Sequence, residues 1–128
     1  MDNWKVLLVD DEEEFVSTLA ERLNLRGIQT RIATTGEDAL RVVRADPPQI
    51  IVLDVMMPGM SGLEVLQRLR ADFPQIPVIL LSGIGSTQDT EEGMRLGAID
   101  FLMKPLQIEQ LIGKMSAAVT KESGGVSE

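Results

Sequence analysis

The sequence contains no histidine and no cysteine. Histidine is the most common general base and metal ligand in proteins, and cysteine supplies thiolate nucleophiles, disulfides and zinc ligands. Within these 128 residues, the two absences exclude thiol catalysis, a disulfide framework and any histidine or cysteine metal site. Chemistry carried by this chain must therefore use carboxylates.

Aromatic residues and positive charges are also scarce. Aromatic residues make up 3% of the chain, and the formal net charge is −8. Both features disfavour binding to nucleic acids, and the negative charge also disfavours an acidic membrane surface. We expect protein partners or a metal-bound phosphate, with no direct nucleic acid binding and no membrane binding. The sequence shows neither a cationic leader nor an apolar run of membrane-spanning length, so we expect a cytoplasmic location.

The chain has enough hydrophobic residues, 44%, to form one globular domain with a sizeable core. Short apolar runs alternate five times with segments of helical spacing. The runs predicted as buried strands are 6–9, 30–33, 50–53, 78–81 and 101–103. This alternation predicts an α/β fold with one doubly wound, five-stranded parallel sheet that helices cover on both faces. We expect Thr35 to cap the second helix, and we expect a weak fourth helix that contains Gly93.

Charged residues follow three of these predicted strands. Asp10 and Asp11 follow the first strand, Asp54 follows the third, and Lys104 follows the fifth. In open α/β sheets, the ligand crevice lies at the carboxyl ends of the strands. Like charges about 4 Å apart repel by roughly 4 kcal/mol at an effective dielectric near 20, so one lysine does not balance three carboxylates. The pattern predicts a site for a hard divalent cation.

Each of these residues also has an ordinary structural explanation. Asp10 and Asp11 could cap the first helix, Asp54 could end a strand before a proline turn, and Lys104 could precede the last helix in solvent. Ser82, which follows the fourth apolar run, could be a turn serine. Their joint occurrence at the ends of four strands favours a functional site.

Four segments together resemble the receiver domain of bacterial two-component response regulators. They are VLLVDDE, IIVLDVMMPGMSG, VILLSG and GAIDFLMKP, and the resemblance extends over roughly residues 5–120. It implies a flavodoxin-like (βα)5 fold with strand order 2-1-3-4-5. Residues 1–120 would form the receiver domain, and 121–128 a flexible tail or the start of a linker. The resemblance implies a signalling phosphoprotein rather than an enzyme, although such a domain assists its own phosphorylation and dephosphorylation.

The resemblance also implies a role for each charged residue. Asp54 would be the phosphoacceptor, forming 4-aspartylphosphate, while Lys104 and Ser82 would contact the phosphoryl group. The implied Mg²⁺ ligands are Asp11, Asp54, the backbone carbonyl of Met56 and, through a water, Asp10. Mg²⁺ prefers oxygen ligands, and phosphoryl transfer depends on positioning and charge neutralisation, so the absence of histidine is no obstacle. We expect the next residues, Glu12, Glu13 and Glu14, to form a solvated first helical turn rather than to bind metal.

Ser82 and Phe101 would be the switch residues of such a domain. We expect that nothing holds the Ser82 hydroxyl before phosphorylation, and that afterwards it moves towards Asp54 while Phe101 moves inward. The alternative for Phe101 is ordinary core packing. The face formed by the loop after strand four, the fourth helix, strand five and the last helix would then change.

The resemblance implies two kinds of partner. A sensor histidine kinase or phosphotransfer protein would deliver the phosphoryl group, and an effector protein or a C-terminal output domain would respond to it. A dimer linked to phosphorylation could use the surface of the fourth helix, strand five and the last helix.

Three alternatives remain open. The chain could be a receiver-like adaptor that works without phosphorylation, a phosphatase of the haloacid dehalogenase type or a flavodoxin relative. Such a phosphatase would carry its nucleophile in a D-x-D arrangement after strand one, where this chain has Asp10, Asp11 and Glu12. A flavodoxin relative would bind a phosphate beside that acidic loop, which repels it unless a metal intervenes.

Overall fold

Strands and helices alternate five times along the chain, as the sequence pattern predicts. The computed structural model describes the backbone of residues 4–127 and the side chains of residues 4–119. The elements are β1 (Lys5–Val9), α1 (Glu13–Leu25), β2 (Gln29–Ala33), α2 (Gly36–Ala45), β3 (Ile50–Asp54), α3 (Gly62–Asp72), β4 (Val78–Ser82), α4 (Thr87–Arg95), β5 (Asp100–Met103) and α5 (Ile108–Ser127). The predicted tail at 121–128 overlaps the end of α5, and its side chains and Glu128 lie outside the described residues. The domain boundary at 120 remains a prediction.

The five strands form one parallel sheet with the order β2-β1-β3-β4-β5, which confirms the predicted topology. The register pairs Val9 with Leu53 and Leu53 with Leu80, so the strands end at nearly the same level. The direction of the strand order reverses between β1 and β3, which is where doubly wound sheets form their ligand crevice. The topology therefore places the ends of β1 and β3 side by side.

Helices cover both faces of this sheet and create two apolar cores. On one face, α1 and α5 pack through residues that include Leu23, Leu111 and Met115. On the other face, α2 and α3 pack through residues such as Val43 and Leu66. All residues of β3 and β4 are buried because helices cover these central strands on both sides. Among the described residues, no helix combines the length and the apolar character needed to cross a membrane.

Strand β5 differs from the buried strand that we predicted. It lies at the edge of the sheet, and only Leu102 of the run 101–103 is buried. Phe101 is 39% exposed and Met103 is 50% exposed. Successive side chains of a strand point to opposite faces, so these two residues share the face opposite Leu102. The core-packing alternative for Phe101 is therefore wrong in this structure.

Candidate functional site

The sheet brings Asp10, Asp54 and Lys104 together at its carboxyl edge. Asp10 follows β1, Asp54 ends β3, and Lys104 follows β5. Lys104 Nζ lies 2.8 Å from Asp10 Oδ2 and 3.6 Å from Asp54 Oδ2. Asp10 and Asp54 are only 1% and 5% exposed. Two buried carboxylates thus share one ammonium group, at the place where the strand ends were predicted to converge.

Glu12 is a member of this site that the sequence analysis did not identify. Its carboxylate forms an ion pair with Lys104. Glu12 lies just before α1 as the N-cap residue, and its backbone N–H donates to Asp10 Oδ1 at 2.9 Å. The alternative in which Asp10 or Asp11 caps α1 is therefore wrong, because Glu12 is the N-cap residue. Glu12 is exposed, as expected, but it precedes the first helical turn and pairs with Lys104. A helix that starts one residue later turns Glu12 back towards the crevice.

The environment of Asp54 favours the protonated form more than that of an ordinary, solvent-exposed aspartate does. Burial raises the pKa of Asp54 from its ordinary value of 3.8 to about 6. A hydrogen bond from the Met56 N–H to Asp54 Oδ1, 3.1 Å long, and the positive charge of Lys104 oppose this rise in pKa, while the charges of Asp10 and Asp11 add to it. Near neutral pH, Asp54 is therefore mostly a carboxylate with little solvent to stabilise its charge.

The environment of Lys104 favours its charged form. Burial by itself lowers the pKa of Lys104, but hydrogen bonds to Asp10 and Glu12 and the charges of Asp10 and Asp54 outweigh burial and raise the pKa. The ammonium group also lies over the ring of Phe15, 4.5 Å from the ring centroid. Lys104 is thus a permanent positive charge at the edge of the sheet.

The donor atoms of the site fit a hard divalent cation. Oxygens of Asp10, Glu12 and Asp54 all lie within 4.8 Å of one another. Asp10 is buried, and the Lys104 ammonium group, 2.8 Å from Asp10 Oδ2, compensates its negative charge. Asp11 and Met56 line the same groove, although Asp11 does not belong to this close group of three. A set made only of carboxylate and carbonyl oxygens suits Mg²⁺.

The loop after β3 is held close to Asp54 by a glycine. A Cβ atom added at Gly62 would lie 2.1 Å from the backbone oxygen of Asp54, so only glycine fits there. The Gly62 N–H donates to the Val55 carbonyl at 3.2 Å. This contact fixes the start of α3 against the end of β3 and so positions the intervening loop, including Met56, beside the carboxylates.

Ser82 is not unrestrained, which corrects the expectation that nothing holds its hydroxyl. Ser82 is 1% exposed, and its Oγ lies 2.9 Å from Ser86 Oγ. The Thr90 hydroxyl also donates to Ser82 Oγ at 2.8 Å. Within the described part of the chain, these hydroxyls on the helix side are the hydrogen-bond partners of the Ser82 side chain.

Apolar side chains surround the opening of the groove. Ile84 is fully exposed and Met56 is 52% exposed, and both line the groove together with Gly83. Phe101, on the neighbouring edge strand, is also exposed. The acidic crevice is therefore open to solvent and has an apolar rim.

A doubly wound sheet with an acidic crevice and a lysine at its switch point defines the class as a flavodoxin-like α/β domain. The sequence matches the family of the response regulator receiver domain over residues 6–116. The chain therefore belongs to the response regulator receiver domain family, as the resemblance of its motifs implies.

Curated relatives agree with this assignment. The uncharacterized transcriptional regulatory protein YkoG of Bacillus subtilis is 38% identical over 128 residues, which is 100% of this chain and 56% of YkoG. The response regulator MprA of Mycolicibacterium vanbaalenii is 34% identical over 117 residues, which is 91% of this chain and 51% of MprA. The chain thus spans about half of the length of the curated relatives it matches.

Solved structures agree as well. The receiver domain of NtrX from Brucella abortus is 31% identical and superposes with a TM-score of 0.84, over 89% of this chain and 97% of that one. A CheY-like receiver domain protein from Methanospirillum hungatei is 22% identical, with a TM-score of 0.90 over 95% of this chain and 98% of that one, and so supports the fold alone. Receiver domains are signalling domains of two-component systems rather than conventional enzymes, and they bind Mg²⁺ at an acidic pocket.

Proposed function

We propose that this domain is a switch that accepts a phosphoryl group on Asp54 from a partner histidine kinase or phosphotransfer protein. The observation that supports this proposal best is the burial of the Asp54 carboxylate beside both Asp10 and Lys104. A buried carboxylate that is only partly neutralised is a poorly solvated nucleophile. The groove above it is open, so a donor can reach it.

The proposed reaction transfers one phosphoryl group without a proton carrier. A carboxylate oxygen of Asp54 attacks phosphorus, the P–N bond of the donor phosphohistidine breaks, and the imidazole leaves with the electron pair of that bond. Lys104 is placed to neutralise charge on the phosphoryl oxygens. This requires its ammonium group to exchange a carboxylate partner for a phosphoryl oxygen.

The metal site that this reaction needs would be formed by Asp11, Asp54, the backbone carbonyl of Met56 and, through a water, Asp10. The close group of oxygens around Asp10, Glu12 and Asp54 supports a cation in this crevice and adds Glu12 to the candidate ligands. Bound Mg²⁺ supplies positive charge that neutralises the equatorial phosphoryl oxygens.

The proposed output is a change of the surface formed by the β4–α4 loop, α4, β5 and α5. Ser82 would donate to a phosphoryl oxygen, and Phe101, which starts from an exposed position, would move inward. The exposed Phe101 and Met103 offer an apolar surface on the edge strand. An effector, an output domain or a second phosphorylated copy would bind there.

The first experiment is intact-mass spectrometry after incubation with acetyl phosphate, with and without Mg²⁺. We expect a single acid-labile phosphoryl adduct that requires Mg²⁺ in the wild-type protein and is absent from Asp54→Asn. Asparagine keeps the size of the side chain but replaces the nucleophilic carboxylate with a neutral amide. An adduct that survives the substitution would show that Asp54 is not the acceptor.

The same samples separate the alternative functions. A phosphorylation-independent adaptor would bind Mg²⁺ without forming an adduct. A phosphatase would release inorganic phosphate from phosphate esters over many turnovers, whereas the proposed switch would not.

A further inference from the structure

The hydroxyl groups of Ser82, Ser86 and Thr90 form a buried cluster between β4 and α4. Ser82, Ser86 and Thr90 are 1%, 0% and 5% exposed, respectively. Ser82 Oγ and Ser86 Oγ are 2.9 Å apart, and the Thr90 hydroxyl lies 2.8 Å from Ser82 Oγ. Buried hydroxyls in mutual contact constrain one another, because each has a single proton to donate.

The proton count of this cluster shows where Ser82 directs its hydroxyl. Ser86 donates to the Gly83 carbonyl at 2.8 Å, so its only proton is used. The contact between Ser82 and Ser86 then has Ser82 as its donor. The Thr90 hydroxyl lies 2.8 Å from Ser82 Oγ and also 2.8 Å from the Ser86 carbonyl, and its single proton is shared between these two contacts. When that proton goes to the Ser86 carbonyl, Ser82 can donate to Thr90 or to Ser86. In every arrangement the Ser82 proton is used inside the cluster, on the side of the helix.

Phosphoryl oxygens only accept hydrogen bonds, so Ser82 must donate its proton in order to contact one. In this structure that proton is directed to Ser86 or Thr90. Ser82 therefore cannot donate within this cluster and donate to a phosphoryl group at the same time.

We propose that Ser86 and Thr90 are positioning residues that hold Ser82 in its resting orientation and set how readily the site accepts a phosphoryl group. The inference rests on the proposed phosphoacceptor function. The hydroxyls of Ser86 and Thr90 compete with a phosphoryl group for contact with the Ser82 hydroxyl. Removing either one therefore favours the orientation in which Ser82 contacts the phosphoryl group.

The test measures the affinity for beryllofluoride in the presence of Mg²⁺, since this anion mimics a phosphoryl group on a carboxylate. Backbone amide NMR follows the titration. Ser86→Ala and Thr90→Val are expected to bind beryllofluoride about fivefold more tightly than wild type, the factor that corresponds to one neutral hydrogen bond. Thr90→Ser, which keeps the hydroxyl, is expected to restore the wild-type affinity.

Two controls separate positioning from a general loss of packing. Thr87→Val changes an exposed threonine of the same helix and is expected to leave the affinity unchanged. In a Ser82→Ala background, Ser86→Ala and Thr90→Val are expected to have no further effect, because the hydroxyl that they restrain is gone. Thermal unfolding checks that each variant folds, and Thr90→Val carries the test if Ser86→Ala does not.

Wild-type affinity in both Ser86→Ala and Thr90→Val would overturn the inference, and so would an increase that persists without the Ser82 hydroxyl. Failure of the wild-type protein itself to bind beryllofluoride would overturn the proposed function together with this inference. The two failures are therefore distinguishable.

Discussion

At the scale of single residues, Asp54 combines two opposing demands. The proposed phosphoacceptor role requires a charged carboxylate, yet burial raises the pKa of Asp54 to about 6. The neighbouring carboxylates increase this cost, and Lys104 and the Met56 N–H reduce it. A buried charge that is only partly compensated is a source of instability at a functional site.

This conflict predicts a pH-dependent stability difference between the wild-type protein and Asp54→Asn. The folded protein binds the Asp54 proton more tightly than the unfolded chain, so stability falls as the pH rises from about 4 to about 6 and then levels off. Without divalent cations, we expect Asp54→Asn to be more stable than wild type by about 2 to 3 kcal/mol at pH 7.5. This advantage should shrink by about 2 kcal/mol at pH 4.5.

Urea unfolding at the two pH values tests this expectation. The fluorescence of Trp4, the single tryptophan, is a suitable probe because that side chain is buried in the core beside α1 and α5. A stability difference that is the same at both pH values would show that Asp54 does not carry the raised pKa.

At the scale of elements, helix α4 has a different character from the one that its sequence predicts. Gly93 looked like a residue that weakens the helix, because glycine costs about 1 kcal/mol in a helix interior. In the structure, a Cβ at this position would lie 2.4 Å from Leu80 Cδ1. Gly93 therefore allows α4 to approach β4 closely. The same helix carries Thr90, which contacts Ser82.

We expect Gly93→Ala to destabilise the protein by about 1 to 3 kcal/mol, because the added methyl group overpacks the contact with Leu80. Gly113→Ala is the matched control in α5, since a Cβ there meets no atom within 4 Å. That substitution should stabilise the protein by up to about 1 kcal/mol through helix propensity alone. Chemical denaturation of both variants gives the comparison, and a stabilising Gly93→Ala would contradict the packing argument.

At the scale of the whole molecule, the site lies between the buried centre of the sheet and its less covered edge. Strands β3 and β4 are fully buried, whereas β5 lies at the edge with Phe101 and Met103 exposed. Ser82 ends β4 and contacts α4 through its hydroxyl cluster. A change at Asp54 that moves Ser82 should therefore affect α4 and β5 and leave the centre of the sheet unchanged.

Hydrogen exchange with and without Mg²⁺ and beryllofluoride tests this distribution. We expect faster exchange in the first turn of α4, because the contacts of Ser86 and Thr90 with Ser82 are lost. The loop 83–85 should exchange more slowly, because it is drawn towards the phosphoryl mimic. Amides of β1 and β3 should not change, and an equal change throughout the sheet would contradict an effect confined to the edge.

Much of the fold and of the candidate site can be predicted from sequence, because short segments of the chain carry the signals that specify them. Apolar runs of strand length, helical spacing and turn residues predict the alternation of elements, and Thr35 caps α2 as its position suggests. The charged residues that follow β1, β3 and β5 then predict a crevice of carboxylates and a lysine, because parallel strands end at a common edge. Neither step needs knowledge of packing between elements.

Other features depend on contacts between residues that are distant in the chain. Glu12 joins the site because α1 starts after it and because Lys104, which is 92 residues away, reaches it from β5. Ser82 is restrained because α4 packs on β4 through Gly93 and brings Thr90 within hydrogen-bond distance. Phe101 is exposed because β5 lies at the edge of the sheet. The sequence alone determined that Asp10, Asp54 and Lys104 meet in the crevice, because parallel strands end at a common edge. The addition of Glu12 and the partner of each group depend on how the helices pack on the sheet, which only the tertiary structure decides.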